Sequence, residues 1–579
     1  MNIAWHSSML EHQESSIVTD ACTDLDVQQL IEAGRPWDAV AAGRMLPRLA
    51  RLHGYGFEVD VAKVRAANLG VEAANLGGGF LFGVDLFGGT PRFGGGAPPP
   101  PPPSLLLGTA KKALDTCISG EGEPPLELTI AAVACAGSGV ICGIPVEQMR
   151  EDAMTELDLC KKGLRGAAVM LVAYLIPAMA ALTSLDLRFN DIGAEGAKAI
   201  ADALSWGRAG LTSLNLEDNN IGAEGAKTIA NALQSGKAVL SSLNLADNAL
   251  CGIDAYGQGT YDASGIQALA SALAGNAVLT ALDLSNNKLT NGRYVKQSKL
   301  SVHNKVGDMV KHEGLELQIL YKDKESGGDV LLGTLAAIEA IAEALKVNTV
   351  LTICNLLKND LDIKSATMLA EIGKEKRIML SGIKHDQTEA KFGGYTLQPA
   401  EGILIASDLR VSLVLSSLSL HLNGISNEGA KAIAEALSSS GRAVQTNLNL
   451  AGNPLGPSSG IGPEGARAIA EALRFKALLK ELECARFSGT SNANRAARAR
   501  VSAHHRMHAR LSVDFQKSAH AHTRLQRSPQ FEIRSSQRRK ERRTPSRRQG
   551  HTHYRNVTRH SNESNGTKHR LSFGAISIY

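Results

Sequence analysis

An eleven-residue phrase, with leucine at fixed places and asparagine at its ninth position, recurs along this chain of 579 residues. It reads LTSLDLRFNDI from Leu182, LTSLNLEDNNI from Leu211, LSSLNLADNAL from Leu240 and LTALDLSNNKL from Leu279. Weaker copies follow as LTICNLLKNDL from Leu351, LSSLSLHLNGI from Leu415 and QTNLNLAGNPL from Gln445. Asn190, Asn219, Asn248, Asn287, Asn359, Asn423 and Asn453 mark the phase, in steps of 29, 29, 39, 72, 64 and 30 residues. Three steps sit at the basic period, and the others carry insertions or degenerate copies. No single unit of this length can bury an apolar face alone, so the copies must stack.

Each half of the unit has a physical reading. In LxxLxL the alternate leucines, such as Leu185 and Leu187, face one side of a short strand. Successive strands then pair in parallel over a continuous leucine core. The asparagine stands where the chain turns inward, and its amide satisfies backbone groups that the turn leaves unpaired. In GAEGAKAIADAL, Ala197, Ile200, Ala201 and Leu204 fall at helical spacing and form one apolar stripe. Small alanines let that helix lie close to the sheet. Aromatic residues make up only 4% of the chain, so the core is aliphatic.

LxxLxLxxN followed by GAxxIAxAL at a period near 29 resembles the ribonuclease-inhibitor-like class of leucine-rich repeats, found in NOD-like receptors and Ran GTPase-activating proteins. The resemblance covers roughly 154–485. It implies an α/β solenoid, a horseshoe with an inner parallel β-sheet and outer helices, and a protein partner whose identity it does not give. MTELDLCKKGL from Met154 fits an opening repeat, with Lys162 in the asparagine position and an unusually apolar helix over 166–181, as suits an end unit. LKELEC from Leu479 begins a further copy and then fails.

Outside the regular copies the reading is coarser. Residues 1–93 have some helical potential and no assigned fold. Residues 94–103 are Gly- and Pro-rich, and Pro98–Pro103 favour an extended polyproline linker that serves as a spacer or as a ligand for profilin or an SH3-type domain. Residues 104–153 lead into the repeats of 154–290. Residues 291–332 read as a small β-rich insertion with three short strands, SH3-like or simply an elaborated loop. Residues 333–485 return to repeats, partly degenerate, with a distorted one around Ile378–Ile383.

The last 94 residues differ from everything before them. Segment 486–579 carries 21 of the 62 Lys and Arg but 4 of the 57 Asp and Glu, a net of +17, which leaves −12 for residues 1–485. It has no apolar period and reads as disordered. The cluster Arg538, Arg539, Lys540, Arg542 and Arg543 suits nuclear import or nucleic-acid contact. The change comes in mid-motif at about Cys484, as a shifted reading frame or a mis-predicted exon would also produce.

Several chemistries find no footing. The eight cysteines show no CxxC spacing and suit reduced thiols of a cytoplasmic protein. The start lacks a basic-then-apolar signal pattern. The apolar run 167–182 is too short for a bilayer and contains Pro177, and 129–146 is broken by glycines, so no membrane partner is expected. GAEGAKT at 222–228 has the wrong spacing for a phosphate loop, and its near-copies at 193–199 and 429–432 mark it as repeat structure. No cofactor, metal or catalytic constellation recurs, and an isolated histidine such as His421 suits a solvated surface.

The repeat phase places outward-facing strand positions at Thr183, Ser184, Asp186 and Arg188, at Thr212, Ser213, Asn215 and Glu217, at Ser241, Ser242, Asn244 and Ala246, and at Thr280, Ala281, Asp283 and Ser285. Later copies add Asn355, Ser417, Ser419, His421 and Asn449. This face is small and polar, poor in the Trp, Tyr and Arg anchors that dominate binding energy. Strand-to-helix loops and insertions therefore supply the candidates for protein binding: Arg188, Phe189, Glu217, Asp218, Asp247, Tyr256 and Tyr261. The leading expectation is a non-enzymatic protein-interaction scaffold or sensor. One alternative, implied by the resemblance, is a GTPase activator acting on a small GTPase through loop residues such as Arg188 and Asn190. A second is nucleic-acid binding through the basic tail.

Overall fold

The computed structural model describes residues 23–67, 114–483 and 498–500, except 34–35, 46–48, 115, 207–208, 255–256, 297–304, 313–314, 323–328, 440–446, 454–460, 462 and 474–480. The chain divides into Met1–His522 and Thr523–Tyr579, and every described residue lies in the first unit. Tyr256, the 94–103 linker, the Arg538–Arg543 cluster and nearly all of the basic tail lie outside the described residues.

Strands β1 (Asp24–Asp26), β2 (Arg51–Gly54), β3 (Phe57–Asp60) and β4 (Ile118–Ser119) form one sheet in that order, flanked by helices α1 (Gln28–Glu32), α2 (Trp37–Met45), α3 (Val61–Ala66), α4 (Leu126–Ala136) and α5 (Val146–Glu151). Because β4 pairs with β3, residues 114–153 are continuous with 23–67 and are more than a lead-in. Every residue of α4 from Leu128 to Ala136 is buried. It packs against α2 and against the first array helix, α6 (Ala167–Leu175). Arg150 closes the end of α4, its guanidinium donating to the carbonyls of Ala134 at 3.2 Å and Gly137 at 2.6 Å. α6 is therefore apolar because this module covers it, where the sequence suggested the end of the array. Trp37 meets Trp206 edge-on at 5.2 Å across the same junction.

The array then alternates strand and helix: β5 (Glu156–Asp158), α6, β6 (Ser184–Asp186), α7 (Gly193–Ser205), β7 (Ser213–Asn215), α8 (Gly222–Gln234), β8 (Ser242–Asn244), α9 (Ser264–Gly275) and β9 (Ala281–Asp283). An inserted antiparallel sheet follows, of β10 (Arg293–Lys296), β11 (Met309–His312), β12 (Leu315–Lys322) and β13 (Asp329–Gly333), in the order β10-β13-β12-β11. The strand β10 is one more than the sequence suggested, and Val295, Leu317, Ile319, Val330 and Leu332 give the insertion a core of its own. The array resumes with α10 (Ala336–Val347), β14 (Ile353–Asn355), α11 (Ile363–Lys376), β15 (Glu389–Lys391), α12 (Pro399–Val411), β16 (Ser417–Ser419), α13 (Asn427–Ser439), β17 (Asn447–Asn449), α14 (Pro463–Leu473) and β18 (Glu481–Glu483). β19 (Arg498–Arg500), inside the segment read as a tail, runs antiparallel along β18.

Two blocks of parallel sheet result. In the first, Leu157, Leu185, Leu214, Leu243, Leu282 and Cys354 stand in one register across β5-β6-β7-β8-β9-β14. In the second, Ala390, Leu418 and Leu448 continue the buried row across β15-β16-β17. Between the blocks a single parallel bridge joins Ile353 to Met379, so Ile378–Ile383 is a rung without a full strand. The Asp408 carboxylate pins it, accepting from the Leu380 N–H at 2.6 Å, the Ser381 N–H at 2.8 Å and the Ser381 hydroxyl.

The asparagines tie rung to rung. Asn248 donates to the carbonyls of Leu216 and Ala246, and its Oδ1 accepts from the N–H groups of Asn219 and Ile221 in the preceding rung. Asn287 repeats this toward Asn248, and Asn359 accepts from the Asn287 N–H at 2.8 Å although 72 residues separate them. The insertion thus leaves the ladder unbroken. Helices approach one another through glycine: a Cβ on Gly225 would fall 2.4 Å from Ile221 Cγ2 and 3.1 Å from Ala197 Cβ on α7. The alanines of α7 and α8, Ala197, Ala201, Ala226 and Ala230, are buried as the stripe required.

Candidate functional site

Outward residues of the first sheet block form rows of their own. Ser184, Asp186, Ser213, Asn215, Ser242, Asn244, Ala281 and Asp283 are all half-buried, while the leucine between each pair is buried. The Asp and Asn row performs local work. The Oδ1 atoms of Asp158, Asp186, Asn215, Asn244, Asp283 and Asn355 each accept the N–H two residues on, at 2.8 to 3.2 Å. Such Asx turns close the end of each strand of this block. Asn449 does the same for Ala451.

The expected binding residues fall into three settings. Arg188 and Glu217 sit on the inner face past the strand ends. The Arg188 Nε lies 3.1 Å from Asp186 Oδ2. Glu217 takes a long hydrogen bond of 3.4 Å from the Asn244 amide, and burial, with Asp283 nearby, raises its carboxyl above the ordinary glutamate value. Phe189, Asp218 and Asp247 share a second setting, the residue just before each ladder asparagine. All three adopt left-handed backbone with φ of 53 to 57°. Their N–H groups donate to Glu217, Ala246 and Ser285 on the next rung. Lys161, Asn286, Lys358 and Leu422 repeat that conformation, so it belongs to the turn. Aspartate and asparagine tolerate it readily, whereas Phe189 and Leu422 adopt it as exposed apolar side chains. Lys161 lies over the Phe189 ring at 4.8 Å. Tyr261 is apart from both groups: its hydroxyl donates to the Leu289 carbonyl at 2.8 Å, bracing the 251–262 loop against the array.

Asn190 is committed to the ladder. Its Oδ1 accepts from Lys162 and Leu164 while its amide donates to Leu159 and Leu187. Asn219, Asn248, Asn287 and Asn359 are fully buried, and Asn423 and Asn453 nearly so.

The second block carries a feature that the repeat pattern did not announce. Small side chains at Ser417 and Ser419 lie between Glu389 and Lys391 on one side and Asn447 and Asn449 on the other. They floor a depression of about 490 Å³, walled by Tyr395 and His421. The His421 Nδ1 lies 2.9 Å from Ser419 Oγ, and its ring covers Gly393 so closely that a Cβ there would fall 1.8 Å from it. His421 is thus held in place, where the sequence suggested a merely solvated side chain.

Among the described residues no helix is long and apolar enough to cross a membrane, and no group of three or more His, Cys, Asp or Glu is placed to hold a metal ion. Six described cysteines carry thiols. The family model described as Leucine Rich repeat matches residues 180–201, 211–230, 275–292 and 411–434. No curated protein matches the chain. Three of these matches fall on the strand, turn and helix of a stacked parallel rung and the fourth on a strand and turn, so the chain carries leucine-rich repeats folded as an α/β solenoid.

Proposed function

We propose that this chain is a non-catalytic docking module of the ribonuclease-inhibitor-like class, which holds a protein partner on its inner sheet face and on the turns that follow the strands. Full α-helices of 12 to 14 residues in α7, α8, α9, α10 and α11, at a spacing near 29 in the regular copies, support that class. One observation carries the docking reading. Six parallel strands stand in register, and the four from β6 to β9 present half-buried, mostly polar side chains opposite a leucine core, a broad surface whose shape is set before any partner arrives. The candidate contacts are Arg188 and Glu217 on that face and Phe189, Asp218 and Asp247 on the adjoining ridge. The GTPase-activator alternative draws no support from Asn190, whose amide is already spent within the fold.

The test uses the full chain as bait and mass spectrometry to identify what it retains. Ser213→Arg and Glu217→Lys alter the inner face, and Lys198→Glu alters the exposed side of α7. The inner-face variants are expected to weaken a retained partner by about tenfold, about 1.4 kcal/mol. Equal retention by the inner-face variants and the wild type ends this reading.

A further inference from the structure

We propose that the depression on β15-β16-β17 is a subsite for a carboxylate carried by a polypeptide partner, recognised by Lys391 and His421. The proposal rests on the docking reading above and adds the chemistry of one contact.

The site lies where the repeat rule is broken, with Tyr395 packed edge-on against Phe392 at 5.9 Å. In the β16 rung the chain runs from Leu418 to the ladder residue Asn423, and the same count from Ala390 in the β15 rung arrives at Tyr395. Asn423 ties the turn behind it, donating to the Phe392 carbonyl and accepting from the Leu397 N–H. Tyr395 is 45% exposed and stands up as a wall. Departures from local consistency of this kind concentrate at functional sites.

The lining has the chemistry of an anion site. Among the described residues the Lys391 ammonium pairs with Glu389 on its own strand, at 3.1 Å, both side chains being more than half exposed. Such a surface pair is worth about 0–1 kcal/mol, so it yields readily to a better partner. A second ammonium, Lys358, sits 4.9 Å over the Tyr395 ring. Ser417 offers a hydroxyl donor on the floor, and His421 is oriented by Ser419 and by its seat on Gly393. The lining thus holds one carboxylate, Glu389, against the Lys391 ammonium and the His421 imidazole, with the Lys358 ammonium over the Tyr395 wall. The first sheet block has the opposite balance, with Glu156, Asp158, Asp186, Glu217 and Asp283 facing outward beside Arg188. The depression is of a size that ligand sites occupy.

The test is site-resolved. Full-length protein is treated with diethyl pyrocarbonate and carbethoxylation of His421 is followed by peptide mass spectrometry, so binding elsewhere on the chain does not register. The probes are an acetylated, amidated Gly-Glu repeat peptide, its Gly-Gln counterpart, and an acetylated Gly peptide with a free terminal carboxylate. Either carboxylate peptide is expected to slow modification about fivefold at about four times its dissociation constant. Protection by the Gly-Glu peptide assigns the source as an acidic side chain, and by the free-ended Gly peptide as a chain terminus. Lys391→Gln, at an exposed position, should remove the protection and Lys391→Arg should keep it. Equal protection by the Gly-Gln peptide, no protection by either carboxylate, or protection that survives Lys391→Gln overturns the proposal. Since the docking reading is tested at Ser213 and Glu217 on the other sheet block, its failure and the failure of this subsite are read separately.

Discussion

Replacing Asn248 with alanine removes a link that joins two rungs by hydrogen bonds given and received. Four hydrogen bonds disappear, at 2.7 and 2.9 Å from the amide and 3.0 and 3.3 Å to Oδ1. They do not count equally. The Leu216 carbonyl keeps the Asn219 amide, and the Ala246 carbonyl keeps the Asp218 N–H. The Asn219 and Ile221 N–H groups lose the acceptor they share, in a place where Asn248 itself is fully buried. At about 1–3 kcal/mol for each of the two buried donors left without a partner, Asn248→Ala costs about 2–6 kcal/mol, a large share of an ordinary domain's stability. Asn453→Ala is the control. That side chain donates to the Leu420 and Leu450 carbonyls while its Oδ1 takes no bond, so its loss strands no N–H and costs about 1–2 kcal/mol. Urea unfolding followed by far-ultraviolet circular dichroism reads both. A loss below about 1 kcal/mol for Asn248→Ala, or equal losses for the two variants, would refute the ladder as a source of stability.

Three further outcomes are expected. Gly225→Ala, whose new Cβ meets Ile221 and Ala197, costs about 1–3 kcal/mol, whereas Gly275→Ala at the end of α9 meets nothing within 4 Å and leaves the urea midpoint unchanged or higher. Burial raises the Asp408 carboxyl to about 7 from an ordinary 3.8, so the folded chain holds a proton that the unfolded chain has released between those values. Its contribution is full below about pH 4 and is lost as pH rises through 7; Asp408→Asn should flatten the difference between urea midpoints at pH 5 and pH 8. Burial also pushes the Cys354 thiol up to about 12, so Ellman's reagent at pH 8 should label half-exposed Cys160 in the native chain and reach Cys354 only after unfolding.

The regular rungs were legible because their decisive contacts join like to like. Leu185 touches the leucine of the next copy, and Asn219 meets Asn248, so the period in the chain is also the neighbour list in space. The Asx row was equally periodic, as Asp186, Asn215, Asn244 and Asp283 in LDL and LNL, and its capping role needed only a strand ending two residues later. The glycines of GAEGA were visible as a motif, and the close approach of α8 to α7 at Gly225 explains the second of them.

What repetition determined was therefore the unit, its stacking and the buried face: leucine every second residue makes a strand, and asparagine after it makes the tie. Tertiary structure decided what has no period. The β15 rung, with Ala390, Phe392 and Tyr395 where leucine and asparagine would mark it, shows itself only in the fold, where β15 pairs with β16 and α12 packs between α11 and α13. The cover on α6 comes from helices, α2 among them more than a hundred residues earlier, and the depression beside His421 comes from three strands of unlike sequence. A motif reports a contact when both partners carry it; where unlike residues meet, only the folded chain brings them together.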